Sequence, residues 1–216
     1  MPDIFDEVEE DLRAERARQM WQRFSTPIIA LLVLVVVGVG GWQGWQWYQN
    51  RERTAAAIAF MAAHRAAEAE GADLAGIADR FEAVAATGPT GYRTIALLRA
   101  AALKAETGDK AAALALYDRV ANDSGIDPLY RELATLMWVL RSMDTAEPAE
   151  LAARIAPLAQ AGRPWSASAR ELAALVSLRA GQRQEAKRAL EALAADVTAP
   201  RSIRDRAQRV ASGIAG

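Results

Sequence analysis

The chain has 216 residues, a formal net charge of −1, no cysteine and a single histidine. The lack of cysteine excludes disulfides and thiolate chemistry, and the near-neutral charge argues against a nucleic-acid interface, which needs a concentrated basic face. One histidine without cysteines also leaves too few clustered ligands for a typical zinc site. We therefore expect no cofactor, no metal and no nucleic-acid partner.

The first 24 residues combine many acidic side chains with a narrow apolar stripe. Phe5, Val8 and Leu12 are spaced so that they fall on one face of a helix. Because a short helix is marginal in water without a partner, we interpret this stripe as a cytoplasmic docking helix. A solvated juxtamembrane extension is the alternative interpretation.

Residues 25–48 are predicted to form a single transmembrane helix. No charged residue lies between Arg23 and Arg51, and a run of this length can cross a hydrocarbon core of about 30 Å. A cleaved signal peptide is the alternative, but its apolar region would be shorter and its leader basic. Aromatic residues close the span, as is typical of a membrane–water interface: Trp42, Trp45, Trp47 and Tyr48.

Two glycines of the predicted span, Gly40 and Gly44, lie four residues apart, a spacing that favours close approach of a second membrane helix. The pair predicts contact with a partner helix, and a homodimer through the membrane helix is one form of it. The alternative is that glycine is simply common in membrane helices.

Arginines near the ends of the span predict its orientation. Four precede it and two follow it: Arg13, Arg16, Arg18 and Arg23, then Arg51 and Arg53. Since basic residues concentrate on the cytoplasmic side, we expect a cytoplasmic segment over 1–24 and a periplasmic domain over 49–216. The expected location is the inner membrane of a bacterial cell, with a single pass.

Residues 49–216 are predicted to be all-α, because strong helix formers predominate and alternating β-branched runs are missing. Glycine and proline mark the breaks between helices, for example at Gly88-Pro89 and Ala180-Gly181. Two stripes at helical spacing lie between such breaks: Ile95, Leu98, Ala102 and Ala105, and then Leu129, Leu133, Leu136 and Leu140.

A repeat with a period in the mid-thirties runs through this domain. One triplet, in which a large residue is flanked by smaller or aliphatic ones, recurs on alternate helices: Ile77, Phe81, Val84; Ala113, Tyr117, Val120; Leu151, Ile155, Leu158; Ala186, Leu190, Leu193. Two helices per unit at this period are typical of tetratricopeptide repeats, and another α-solenoid would have a similar pattern. We expect about four hairpins and a C-terminal capping helix over 201–214.

Stacked hairpins of this kind usually present a groove to protein partners. Five aromatic or guanidinium side chains on the predicted first helices are candidates for that groove: Tyr92, Arg99, Arg131, Trp138 and Arg170. Core packing of the aromatics and solvation of the arginines are the alternatives. The sequence contains no catalytic motif, and an α-helical hydrolase that uses paired carboxylates is a remote alternative.

The opening Asp3-Ile4-Phe5-Asp6-Glu7-Val8, the run Asp11–Arg16, Trp21 before the span and the tetratricopeptide-like domain together resemble one family. The chain resembles the YfgM-like ancillary subunit of the SecYEG translocon, in the form found in alphaproteobacteria. The resemblance implies contact with translocon subunits and with periplasmic chaperones or emerging exported chains, and it implies no catalytic residue. An adaptor for outer-membrane or cell-wall assembly is the alternative.

Overall fold

The computed structural model describes the backbone of residues 4–214 and their side chains, except those of residues 4–17, 19 and 22–30. The chain divides into two compact units, residues 1–52 and residues 53–216. The predicted docking stripe, Phe5, Val8 and Leu12, lies outside the described side chains.

Helix α1 (Ile4–Ala67) accounts for the described part of the first unit. Its side chains over residues 31–48 are exposed, including the valines and leucines of the apolar run. Within the described residues, no helix has both the length and the apolar character needed to cross a membrane. The predicted span over 25–48 begins inside residues 22–30, whose side chains lie outside the described part, and it stays a prediction.

Every regular element described in the second unit is a helix. After the end of α1 they follow in the order α2 (Leu74–Thr87), α3 (Thr90–Glu106), α4 (Lys110–Asn122), α5 (Pro128–Ser142), α6 (Pro148–Ile155), α7 (Ser166–Arg179), α8 (Arg183–Ala195) and α9 (Arg201–Gly213). The break between α5 and α6, at residues 143–147, is not among the breaks predicted from the sequence, although Pro148 directly follows it and opens α6.

Local chemistry explains where several of these helices begin. The carboxylates of Asp73, Asp109 and Asp127 each accept a hydrogen bond from a backbone N–H in the first turn of α2, α4 and α5. Pro128 opens α5 at a position where no backbone N–H is needed. Gly108 between α3 and α4 has φ +91°, a left-handed conformation that glycine adopts without strain and that closes this hairpin turn.

Consecutive helices pack as antiparallel neighbours and form hairpins: the end of α1 with α2, α3 with α4, α5 with α6, and α7 with α8, with α9 as the cap. All residues of the four repeated triplets are buried, and Tyr117 and Phe81 are among the largest fully buried side chains. The predicted all-α array of about four hairpins with a capping helix is therefore confirmed.

The buried residues form two apolar clusters rather than one. The first runs from Ala63 on α1 to Val176 on α7, and the second joins α7, α8 and α9. Helix α7 belongs to both, because Leu172 and Val176 lie in the first cluster while Ala174 lies in the second. Helices α7, α8 and α9, at the C-terminal end of the array, thus share a core that is separate from the first cluster.

Candidate functional site

The first helices of the hairpins form a continuous surface. Helices α3, α5, α7 and α9 each contact the next one in this series, whereas the described contacts include none between the second helices α2, α4, α6 and α8. Because, among the described residues, the backbones of the first helices contact one another and those of the second helices do not, the first helices share one side of the array, the side toward which stacked hairpins usually curve. We call this surface the inner face.

Equivalent positions of successive first helices line the inner face. Leu140 on α5, Leu175 on α7 and Val210 on α9 lie 35 residues apart in sequence, and so do Leu136, Glu171 and Arg206. Leu98 and Ala102 of α3, both half-buried, lie 38 residues before the α5 pair. The repeat therefore places a row of mostly apolar side chains across four helices, and we call this row the ladder. Its charged members, Glu171 and Arg206, lie on α7 and α9.

A cavity of about 560 Å³ opens on this ladder between α5, α7 and α9. Its volume lies within the range of about 300–1,000 Å³ that is usual for ligand sites. Leu140 remains 42% exposed there, although it belongs to an apolar wall. The wall is formed by Leu136, Leu140, Leu172, Leu175 and Val210, and the polar lining by Ser168, Glu171, Arg206 and Arg209.

The cavity lies where the two core clusters meet. Leu136 and Leu172 belong to the first cluster, and Val210 packs against the second. An apolar group placed in the cavity would therefore contact residues of both clusters and remove exposed leucine surface from water.

The cavity lining carries more positive than negative side chains, two arginines and one glutamate. Arg206 donates from Nε and Nη2 to the two carboxylate oxygens of Glu171, at 2.8 and 2.7 Å. This paired geometry raises the pKa of Arg206 above its ordinary value, mainly through the hydrogen bonds to Glu171. Arg209 is exposed and, among the described residues, has no ion-pair partner. The cavity lining thus keeps one uncompensated positive charge.

Two of the five candidate groove residues have partners inside the array. Trp138 is 7% exposed, and the Arg154 guanidinium carbon lies 3.6 Å from the centre of its ring. Arg170 donates to Asp196 at 2.5 Å. Neither side chain is among those that line the cavity.

The other three candidates are half-buried and do not line the cavity either. The Tyr92 ring packs beside Phe60, at 6.1 Å between centroids. The Nε atoms of Arg99 and Arg131 are buried and have no acceptor among the described residues. These two donors, on α3 and α5, could be satisfied by an acceptor on a bound partner.

In the first unit, a side chain added at Gly40 or Gly44 would meet no atom within 4 Å, so that helix face is open. Trp42, Trp45 and Trp47 are exposed, as is Tyr48. Arg51 lies over the Trp47 ring at 5.7 Å.

In the described residues no group of three or more histidine, aspartate or glutamate side chains could hold a metal ion.

The cavity is the feature that sequence reasoning missed. Its walls come from three helices, and no single helix carries a motif for it. The signal was present in the spacing of Leu140, Leu175 and Val210, which repeats the period of the second-helix triplets on the first helices.

A family model described as a tetratricopeptide repeat-like domain matches residues 18–207. Neither the curated proteins nor the solved structures include a significant match to this chain.

Proposed function

Because the chain belongs to the tetratricopeptide repeat-like family, we propose that it is a membrane-anchored scaffold that binds protein partners at the protein-export channel of the bacterial inner membrane. Domains of this kind generally bind proteins rather than catalyse reactions. The observation that carries the proposal is the open apolar cavity on the inner face, between α5, α7 and α9.

The chemistry of the cavity supports binding. Five aliphatic side chains form its wall, and Glu171, the one carboxylate in its lining, is already held by Arg206. Burying a half-exposed leucine such as Leu140 would contribute on the order of 1 kcal/mol, and the wall offers several such contacts. This is the composition of a surface that recognises an apolar segment of a partner.

Membrane anchoring is supported by the exposed apolar side chains of residues 31–42, since soluble surfaces rarely carry such a long continuous apolar run. The exposed tryptophans at the end of this run suit the headgroup region of a bilayer. In this proposal the amino terminus is cytoplasmic and the array over residues 49–216 is periplasmic, which the arginine bias supports.

Association with the export channel rests on the resemblance of residues 1–24 to the ancillary translocon subunit. In this proposal, the docking stripe and the Gly40/Gly44 face contact channel subunits, and the array remains free to engage periplasmic chaperones or emerging chains. The two ends of the chain then have separable partners.

The test is co-purification of the full-length tagged protein from membranes in mild detergent, with identification of what accompanies it. The double variant Gly40→Leu/Gly44→Leu should lose channel subunits and still insert, because bulk on this face keeps helices apart. Gly38→Leu, on the opposite helix face and equally open, is the matched control. Leu175→Asp, in the cavity wall, should instead lose periplasmic partners.

Recovery of outer-membrane or cell-wall assembly proteins in place of channel subunits would identify the alternative adaptor. If channel subunits persist with the double glycine variant but are lost with Leu175→Asp, the array holds the channel and the assignment to the amino-terminal part is wrong.

A further inference from the structure

The first helices of the array begin at one common edge. Because each hairpin is antiparallel, α3, α5, α7 and α9 all start from loops that follow a second helix, and the part of α1 after residue 53 runs in the same direction. A Cβ atom at Gly88, before α3, would lie 3.5 Å from that of Ala56 on α1, and the Trp165 indole N–H donates to the Leu129 carbonyl at 2.9 Å. These starts therefore lie side by side. We call them the entry edge, which comprises residues 53–56, 88–93, 123–131, 162–166 and 196–201.

The entry edge carries exposed apolar side chains that lie outside the core. Leu129 and Tyr130 are each more than one-third exposed, and Val197 is the most exposed large apolar side chain described in the second unit. Trp165 beside them is half-buried. Among the described residues, the loops at the opposite edge of the array, which join first to second helices, carry no exposed large apolar side chain. The two edges thus differ in chemistry.

The acids of the entry edge are bound within their own loops. The carboxylates of Asp123, Asp127 and Asp196 each accept a hydrogen bond from a nearby backbone N–H, at 2.8–3.0 Å. Each of the four loops also contains a proline, which lacks a backbone N–H: Pro89, Pro128, Pro164 and Pro200. The loops therefore satisfy much of their own polarity and leave the apolar side chains to face outward.

The chain enters the second unit a short distance after the proposed membrane anchor. Arg53, where the second unit begins, follows Tyr48, the last aromatic residue of the predicted span, by five residues. Five residues reach no more than about 18 Å even when fully extended. The α1 end of the entry edge is therefore tethered near the bilayer surface, whereas Tyr130, Trp165 and Val197 belong to later hairpins that the tether does not hold.

We infer that the entry edge lies against the surface of the membrane in which the chain is anchored, with Tyr130, Trp165 and Val197 at the level of the lipid headgroups. The inference rests on the proposed membrane anchoring and adds a second point of contact, away from the tether. Tyrosine and tryptophan settle at this level because they have an apolar body and a polar tip. The Trp165 N–H already has an acceptor in Leu129, so its ring can contact lipid without losing that hydrogen bond.

The experiment measures lipid contact at single positions of the full-length protein. The chain has no cysteine, so Tyr130→Cys and Val197→Cys can each carry one fluorescent label. Each is assembled as one copy per nanodisc of phosphatidylcholine and phosphatidylglycerol, with and without lipid that bears a nitroxide on its headgroup. Both labels should lose fluorescence to the nitroxide. Gln182→Cys, exposed in the loop between α7 and α8 at the opposite edge, is the matched control and should lose none.

A charge at the entry edge tests whether its apolar side chains hold the contact. Tyr130→Glu, combined with the label at Val197→Cys, should reduce the loss of fluorescence, because a carboxylate is repelled by anionic headgroups. Gln182→Glu adds the same charge at the opposite edge and should leave the loss unchanged. If Tyr130→Glu changes nothing, the exposed side chains do not hold the edge and the inference is wrong. Circular dichroism of each variant verifies that its helices are retained.

A label at Val37→Cys, inside the predicted span, separates this inference from the proposed anchoring. If a nitroxide on the lipid acyl chains quenches that label, while the labels at positions 130 and 197 lose no more fluorescence than the label at 182, the chain is anchored and the entry edge does not contact the membrane. If the label at position 37 is not quenched, the anchoring itself is wrong and the inference fails with it. A nanodisc with one copy holds no other chain of the array, so quenching at positions 130 and 197 reports lipid.

Discussion

Arg206 on α9 donates two hydrogen bonds to the carboxylate of Glu171 on α7, and the Glu171 side chain is only 12% exposed. The pair ties the capping helix to the preceding hairpin at the edge of the cavity. It also neutralises the one acid of the cavity lining, so it contributes both to stability and to the charge that a partner meets.

Glu171→Gln should weaken the attachment of α9. Because the Arg206 side chain is about half exposed, we expect a loss of only about 0.5–1 kcal/mol in the free energy of unfolding. Urea denaturation followed by circular dichroism measures it. Asp205→Asn, which removes a longer and more exposed pair with Arg201, should have almost no effect. Equal losses in the two variants would contradict the structural role of the Glu171 pair.

Leu190→Ala should be among the more damaging substitutions in the C-terminal core. Leu190 is fully buried on α8, and truncation of such a side chain typically costs about 2–5 kcal/mol because it leaves a cavity. Val197→Ala provides the control, since Val197 is 82% exposed and should change stability by about 0.5 kcal/mol or less. Thermal or urea unfolding of the two variants compares them. Similar stabilities would be inconsistent with this core.

The carboxylate of Asp196 should make stability depend on pH in the acid range. The Thr198 hydroxyl, Arg170 and the Thr198 backbone N–H, in that order, lower the pKa of Asp196 from 3.8 to about 2. A lowered folded-state pKa means that its contribution is complete above pH 3.8 and is lost as the pH falls to about 2. Asp196→Asn should therefore lower the Tm at neutral pH, with a difference from wild type that disappears over this window.

The control for Asp196 is Glu191→Gln, on the exposed side of α8, which should leave the Tm at neutral pH close to that of wild type because it removes no contact of the core. A difference in Tm between wild type and Asp196→Asn that stayed constant from pH 7 to pH 2 would assign the effect to packing rather than to ionisation.

The proposed topology predicts an active alkaline phosphatase fusion after Gly216, because more arginines precede the apolar run than follow it. Phosphatase activity in intact cells is the measurement. A fluorescent reporter that folds only in the cytoplasm, fused at the same residue, should stay dark. The reverse pair of results would place residues 49–216 in the cytoplasm.

The second helices could be predicted from the sequence because one spacing recurs on them. Phe81, Tyr117, Ile155 and Leu190 are each the large central residue of a triplet, and each is fully buried in one of the two apolar clusters. Such helices have one buried face, and a single period therefore describes them.

The first helices are harder to interpret because they are apolar on two sides. In α3 the fully buried residues are Ala96, Leu97, Ala100, Ala101 and Leu103, whereas the stripe visible in the sequence, which includes Leu98 and Ala102, lies half-buried. A helix that packs within its hairpin and also against the next first helix has no simple polar face. Periodicity then cannot separate the core from the inner face.

Long-range pairing explains why the candidate groove residues could not be placed from the sequence. Arg170 meets Asp196, 26 residues later, and no local pattern indicates that contact. The cavity likewise needs α5, α7 and α9 to come together. Its repeat spacing becomes visible only when the first helices are aligned by the triplets of the second helices.

The division of the core at α7 has a consequence for how the array melts. In a linear repeat protein each hairpin is stabilised by its neighbours, so the block of α8 and α9, with its own cluster, can open while the preceding hairpins stay folded. A segment bound at the cavity contacts both blocks, so its binding free energy stabilises the packing of one block against the other. Occupancy would then convert an array that unfolds in two stages into one that unfolds cooperatively.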